Sequence, residues 1–249
     1  MSLSLPDSVV LVTGGERGVG AGITRSFHKA GATVVTCGRT RPDVPLGEFV
    51  QCDVRDAEQV DALIETVRAR YGRLDTVVNN AGGAPFAKAA EASPRFHAKV
   101  VELNLLAPLI VAQRAYPLLA ERSGSVVMVS SISGTRPSPG TAAYGAAKAG
   151  LNNLTASLAI EWAPDVRVNA LAVGMVRTEM AELHYGTDAG VAAVGATVPI
   201  GRLAEPDEIG ACAVFLASPM ASYVTGATLL VHGGGEVPAF LSASDTREN

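Results

Sequence analysis

The 249-residue chain is 48% hydrophobic and 18% charged, a globular composition that excludes a disordered polymer and suits one covered α/β domain over residues 1–249. Its formal net charge of -4, without basic-aromatic interleaving, argues against nucleic-acid binding. Cys37, Cys52 and Cys212 lack the spacing of a disulfide framework or zinc site, and the four histidines form no metal cluster, so no metal is expected; with no secretory pattern and no uninterrupted apolar run of membrane-spanning length, a cytoplasmic protein without a membrane partner is the expectation.

Residues 9–15 (VVLVTGG) read as a strand running into glycines, 19–32 as a helix and 33–39 as a second strand, which makes a right-handed βαβ unit. Pro42 and Pro45 make a helix implausible before the third strand at 49–54, so a short irregular crossing is expected. A helix over 56–72 carries acids at its start and arginines at its end, as the helix dipole favours. A strand at 74–82 follows, then a helical run at 96–121 in which Pro108 predicts a bend and Pro117 a late irregularity. Strands at 125–131, 165–171 and 226–235 alternate with a helix after Tyr144 and one at 205–218 opened by Pro206. The alternation predicts a doubly wound, mostly parallel seven-stranded sheet with helices on both faces and none between strands two and three. In the tail, 237–249, the apolar start is expected to dock and the polar end to fray.

Gly14, Gly18 and Gly20 stand where the first strand meets the first helix. They permit, in turn, a tight bend, backbone approach to a pyrophosphate and close helix packing, with helix amides facing phosphate oxygens. No Lys-Ser or Lys-Thr pair closes the turn, which argues against a P-loop. A carboxylate ending the second strand would select NAD; here Gly38 is followed by Arg39, with Arg17 in the nearby turn. Two guanidinium groups favour the 2'-phosphate of NADPH, NAD being the alternative, although both arginines also suit a solvated surface. Arg41 can assist or merely solubilise the crossing, and Glu16 is expected to weaken phosphate attraction.

Tyr144 and Lys148 lie four apart on one helix face. A charged lysine there would lower the tyrosine pKa from about 10 and let the phenol give a proton to a carbonyl or take one from an alcohol. Ser131, ending a strand, can orient the substrate oxygen, and Asn104 can hold a relay water or simply bend its helix.

Taken together these residues resemble the short-chain dehydrogenase/reductase family. Thr13 to Gly20 match its Thr-Gly-x3-Gly-x-Gly turn and Asn79 to Gly82 its Asn-Asn-Ala-Gly motif, while Asn104, Ser131, Tyr144 and Lys148 align with its catalytic tetrad. The resemblance covers residues 6–235 and is similar to 3-oxoacyl-[acyl-carrier-protein] reductases. It implies a Rossmann-type sheet, Tyr144 as acid/base, Lys148 tuning it and holding ribose, Ser131 positioning the substrate oxygen and Asn104 supporting proton relay. The implied cofactor contacts are Gly14, Arg17, Gly18, Val19, Gly20, Arg39, Asp53, Val54, Asn80, Ala81, Gly82, Tyr144, Lys148, Gly174, Val176 and Thr178, in a homotetramer or homodimer.

Departures from the family pattern are the missing second crossover helix, Val173 in place of the usual proline, Glu16 in the turn and His232 in place of an aspartate. Residues 177–202 read as a substrate lid in which Met175, Met180, Leu183, Tyr185 and His184 can line the pocket, or as an amphipathic helix packed on the body. Residues 136–139 (RPSP) would shape the opposite wall. The leading expectation is NADPH-favouring reduction of a small apolar ketone or 3-oxoacyl thioester. An NAD-dependent alcohol or hydroxysteroid dehydrogenase is the alternative in class, and a catalytically silent dinucleotide-binding protein the alternative outside it.

Overall fold

The computed structural model describes residues 3–181 and 185–243. Its strands are β1 (Val9–Thr13), β2 (Thr33–Gly38), β3 (Glu48–Gln51), β4 (Thr76–Asn79), β5 (Ser125–Ser131), β6 (Arg167–Val173) and β7 (Thr228–Val231). All pair in parallel in the order β3-β2-β1-β4-β5-β6-β7. The fold is the expected doubly wound sheet, and its order reverses between β1 and β4, where an open α/β sheet leaves a crevice at the carboxyl ends of its strands.

Parallel strands need cover on both faces, and the strand sequences reflect this. Within β1, Val9 and Leu11 join one core and Val10 and Val12 the other. The first core takes the buried sides of α2 (Ala57–Tyr71), α4 (Ala107–Ala120) and α5 (Ala142–Glu161), with Leu63, Leu118 and Leu151 at its centre. The second is closed by α1 (Gly18–Lys29) and a helix at Pro206–Ala217, through Ile23, Phe27 and Ile209. Burial of these apolar faces, at roughly 25 cal/mol per Å², is the main favourable contribution to folding.

The crossing from β2 to β3 contains no helix, as the prolines require. It is held down by polar contacts instead. The His28 ring Nε2 donates to the Leu46 carbonyl at 2.9 Å, and the Leu46 amide donates to Glu16 Oε2 at 2.8 Å.

The helical run expected at 96–121 is three pieces: α3 (Pro94–Val101), a π-helical segment (Glu102–Leu106) and α4. Pro108 follows that segment and lacks the N–H that an α-helix would supply to the Asn104 carbonyl, so the bend is realised as a widened turn centred on Asn104. Pro117 lies inside α4 without ending it. The run Pro94–Ala120 is long and apolar enough to cross a membrane by length and composition only, a test that a core helix also passes, and Arg95, Lys99, Glu102 and Arg114 interrupt it. Its apolar side faces the first core, where Val111, Ala112, Ala115 and Leu119 are fully buried.

Several strands stop short of their expected ends, β1 at Thr13 and β4 at Asn79, because the following glycines and asparagines leave the ladder. In the C-terminal part, α6 (Asp188–Ala196) precedes the Pro206–Ala217 helix, here α7, and a short α8 (Ala239–Ala243) ends the described chain. In the tail the Val237 amide donates to the Thr197 carbonyl at 2.8 Å, while the Val237, Phe240 and Leu241 side chains remain exposed, and residues 244–249 lie outside the described residues.

Helices α1 and α7 cross at glycines. A Cβ at Gly22 would lie 2.2 Å from the Pro206 carbonyl carbon, and one at Gly210 would lie 2.2 Å from Ser26 Oγ. Neither backbone can retreat without opening the second core, so Gly22→Ala is expected to cost about 1–3 kcal/mol in chemical denaturation. An unchanged midpoint would show that the two helices are not held at this distance.

Candidate active site

The glycine-rich turn begins where β1 ends, with Gly14 at φ 63° and Gly18 at φ 53°, both in the left-handed region. The Gly14 amide donates to the Cys37 carbonyl at 2.8 Å, tying the turn to β2. A Cβ on Gly20 would approach the Gly14 oxygen to 2.1 Å and Asn80 Nδ2 to 2.5 Å. Gly20 is therefore needed to fold the turn onto the loop after β4, and the close helix packing expected of it occurs at Gly22 instead. Arg17, the N-cap of α1, makes no side-chain cap and the first turn holds no acid, whereas α2 is capped by Asp56 through the Glu58 and Gln59 amides. Val19 is partly buried just inside α1.

Side chains take over where the β1–β4 ladder stops. Thr13 Oγ1 accepts from the amides of Asn80 and Ala81 at 3.0 Å each, and Asn80 Nδ2 donates to the carbonyls of Thr13 and Gly14 at 3.0 and 3.1 Å. Asn79 Nδ2 donates to the Pro108 carbonyl at 3.1 Å. Fully buried Asn104 then grips the same loop: its Oδ1 accepts from the Gly83 amide at 2.8 Å, and its Nδ2 donates to the carbonyls of Gly83 and Val100 at 2.9 Å each. A Cβ on Gly82 would meet Asn104 Oδ1 at 2.7 Å and Lys148 Nζ at 3.5 Å, so this glycine lets the loop pass between them. The sequence motif marked Asn80, Ala81 and Gly82 as a group but not these partners.

Ser131 ends β5 and opens a 3₁₀ turn (Ile132–Gly134), its Oγ accepting from the Ser133 amide at 3.1 Å. That turn lies directly on α5: a Cβ at Gly134 would reach the Lys148 carbonyl carbon at 2.7 Å, and one at Gly145 the Ser133 oxygen at 2.8 Å. The close approach brings the Ser131 hydroxyl near enough to Tyr144 to act on its phenol. Lys148 is buried, donates from Nζ to the Val129 carbonyl at 2.7 Å and lies 5.6 Å from the centre of the Tyr144 ring. Asn104, Ser131, Tyr144 and Lys148 are thus gathered by the Gly82 loop and the start of α5.

Burial governs both titrating groups. It lowers the Lys148 ammonium to about 8. Burial also raises the Tyr144 phenol above its ordinary value, against a smaller opposing effect of the Ser131 hydrogen bond. The expected lowering of the tyrosine pKa is not realised, because loss of water around the phenolate outweighs its stabilisation. At neutral pH the phenol keeps its proton.

Beyond the carboxyl ends of β1 and β2, Arg17 and Arg39 are exposed, and neither forms a salt bridge among the described residues. Asp53 is held by Arg55 at 2.9 and 2.5 Å, which keeps its carboxyl below the usual range, with Arg39 adding a smaller effect. Val54 is buried behind it. Arg41 lies over the Phe49 ring at 5.9 Å. Glu16 points away from the turn, taking the Thr36 hydroxyl and the Leu46 amide, so its charge is committed to the crossing rather than to the phosphate side.

A family model described as Enoyl-(Acyl carrier protein) reductase matches residues 14–236. A tropinone reductase homolog of Arabidopsis thaliana is 35% identical over 95% of this chain and 95% of its own length. The L-fucose dehydrogenase of Oryctolagus cuniculus is 38% identical over 92% of this chain and 85% of its own. Among solved structures, the aldohexose dehydrogenase of Thermoplasma acidophilum superposes with a TM-score of 0.89 at 30% identity, covering 98% of this chain and 97% of that one.

The chain belongs to the short-chain dehydrogenase/reductase family. As such a dehydrogenase/reductase it is an NAD(P)-dependent enzyme with a dinucleotide-binding Rossmann fold, and its crevice fits that cofactor: the turn at Gly14 and Gly20 is closed to any side chain, and α1 carries no acid in its first turn and no cap from its own N-cap residue. The far wall comes from the segment after β6. The Gly174 amide donates to the Val231 carbonyl at 2.9 Å, Val176 bridges to Ala204, and the Thr178 side chain lies 3.5 Å from a Cβ placed on Gly18.

Around the 177–202 segment of this short-chain dehydrogenase/reductase, Ala181 and Val191 form a small core with Leu203, against which Met175, Tyr185 and Val194 pack. Met175 and Tyr185 therefore serve packing at least in part, Met180 is exposed, and Leu183 and His184 lie outside the described residues. His232 backs onto Gly174 and, with Met175 and the Arg202–Glu208 pair, lines a cavity of about 100 Å³ to which Tyr144 does not contribute.

The lysine makes a pH prediction. An ammonium at about 8 in the folded enzyme and about 10.4 in the unfolded chain means that, between these values, the unfolded state binds more protons, so folding is stabilised as pH rises. Relative to Lys148→Met, the native enzyme should gain on the order of 3 kcal/mol between pH 8 and pH 10.4. Parallel denaturation curves across that window would refute the buried cation.

Proposed function

We propose that this enzyme is an NADPH-favouring carbonyl reductase, acting on a small apolar ketone or a 3-oxoacyl thioester and reversible toward the secondary alcohol. The observation that carries the cofactor preference is the pair of exposed guanidinium groups, Arg17 and Arg39, free of salt bridges among the described residues and with no carboxylate ending β2. Bound NADPH supplies the hydride. Tyr144 donates its phenolic proton to the carbonyl oxygen while the Ser131 hydroxyl holds that oxygen in line. Lys148 binds ribose hydroxyls and its positive charge offsets the phenolate formed by proton donation. The widened helical turn at Asn104 supports proton return to the tyrosine. The raised tyrosine pKa suits the reductive direction, since the acid form prevails at neutral pH.

The residues implied by the family resemblance keep their proposed cofactor contacts: Gly14 to Gly20 at the pyrophosphate, Arg39, Asp53 and Val54 around adenosine, Asn80 to Gly82 and Gly174 to Thr178 near the nicotinamide half. Residues 177–202 form the proposed substrate lid. The exposed Leu229 and Leu230 on edge strand β7, and fully exposed Tyr223, support a homodimer or homotetramer, and a cytoplasmic location is part of the same proposal. A second reading, an NAD-dependent alcohol dehydrogenase, draws support from the names of the L-fucose and aldohexose dehydrogenases.

Two measurements test the proposal. Tyr144→Phe should lower turnover of any confirmed ketone by at least about 100-fold while leaving NADPH binding intact; retained turnover would remove the tyrosine from the chemistry. Replacing Arg39 by Ala should weaken NADPH about tenfold and NADH little, and a native preference for NADH would favour the dehydrogenase reading.

A further inference from the structure

We infer that Glu179 competes with the cofactor diphosphate for the amide that opens α1, and thereby sets cofactor affinity. The inference rests on the reading of the Gly14–Gly20 turn as the cofactor site. The Gly18 amide, first in α1, donates to Glu179 Oε2 at 3.1 Å, across 161 residues of sequence. Glu179 Oε1 lies 3.9 Å from where a Cβ on Gly18 would stand, and Thr178 lies at 3.5 Å from the same point. Helix α1 has no side-chain cap of its own and no acid in its first turn. Its first amides and dipole attract an anion, and the anion seated on Gly18 is a carboxylate from the segment after β6.

A diphosphate approaching Gly18 needs this seat, and two anions at contact distance repel. The carboxylate can leave without disturbing the core. Its side chain is exposed, while the backbone around it stays fixed by the Arg177 amide on the Ala204 carbonyl at 2.8 Å and the Ala181 amide on the Thr178 carbonyl at 2.9 Å. Thr178 keeps its place beside Gly18 when Glu179 swings out. Cofactor entry therefore breaks one contact between the turn and the 177–202 segment, so the affinity measured for the dinucleotide is net of that contact and of the charge repulsion.

The test is a titration of the unmodified enzyme, Glu179→Gln and Glu179→Ala with NADPH and with NADH, followed by nicotinamide fluorescence at low and high salt. Glu179→Gln removes the charge, and Glu179→Ala the acceptor as well. Both variants should bind both cofactors about two- to fivefold more tightly at low ionic strength, with the gain shrinking as salt screens the repulsion. Unchanged or weaker binding overturns the inference, as does tightening confined to NADPH, which would place the effect at the 2'-phosphate. Failure of the unmodified enzyme to bind either cofactor overturns the cofactor reading and this inference with it; native binding with unaltered variants counts against Glu179 alone.

Discussion

The side-chain amide of Asn104, closed on both backbone groups of Gly83, is the contact on which the crevice depends. A parallel sheet covered on both faces offers ligands only its carboxyl edge, and at the reversal between β1 and β4 the ladder ends with backbone groups to satisfy. Thr13, Asn80 and Asn104 satisfy them in series. Each link is an amide or hydroxyl held on a strand end or a helix, so the loop at Gly82 and Gly83 is fixed from two sides. The widened turn around Asn104 belongs to the same arrangement, because Asn79 reaches across from β4 to the Pro108 carbonyl immediately after it.

The second constraint is the burial of Lys148. An ammonium held below its usual pKa among apolar strands opposes folding, and its one acceptor among the described residues is the Val129 carbonyl. That cost is consistent with a site shaped for chemistry rather than stability. The 3₁₀ turn pressed on α5 at Gly134 and Gly145 contributes in the same sense, since it fixes the separation of Ser131 and Tyr144 through backbone packing and leaves little to side-chain rotamers.

Much of this was legible in the sequence, for identifiable reasons. Uninterrupted apolar strands, capped helices and two prolines in one crossing determine topology by local rules, and the glycine turn and the Tyr144–Lys148 spacing are local too. What stayed hidden depends on atoms distant in sequence. Gly22 reads as an ordinary helical glycine until Pro206 is set against it. The i+4 lysine visible in the sequence predicts a lowered tyrosine pKa, whereas the burial that raises it depends on tertiary packing that no spacing reveals. Strand ends were overextended because the residues that leave the ladder, such as Asn80, are satisfied by partners across the crevice.

Glu16 illustrates how one residue answers two departures from the family pattern. Alone, an acid in a phosphate-binding turn is an obstacle, and the loss of the crossover helix is a gap beside β2. Placed together they resolve each other: the carboxylate turns toward Thr36 and Leu46, supplies an acceptor to the helix-free crossing, and in doing so withdraws from the phosphate side of the turn. Gly47 permits that crossing to lie flat, since a Cβ there would come within 2.7 Å of the Val34 carbonyl oxygen. With Glu16 spent on the crossing, the acid that faces the mouth of α1 is the one from the opposite wall, on a segment whose backbone is anchored and whose side chain is exposed. The electrostatics at the mouth of the turn are thus set less by the turn's own composition than by which carboxylates the rest of the fold holds elsewhere.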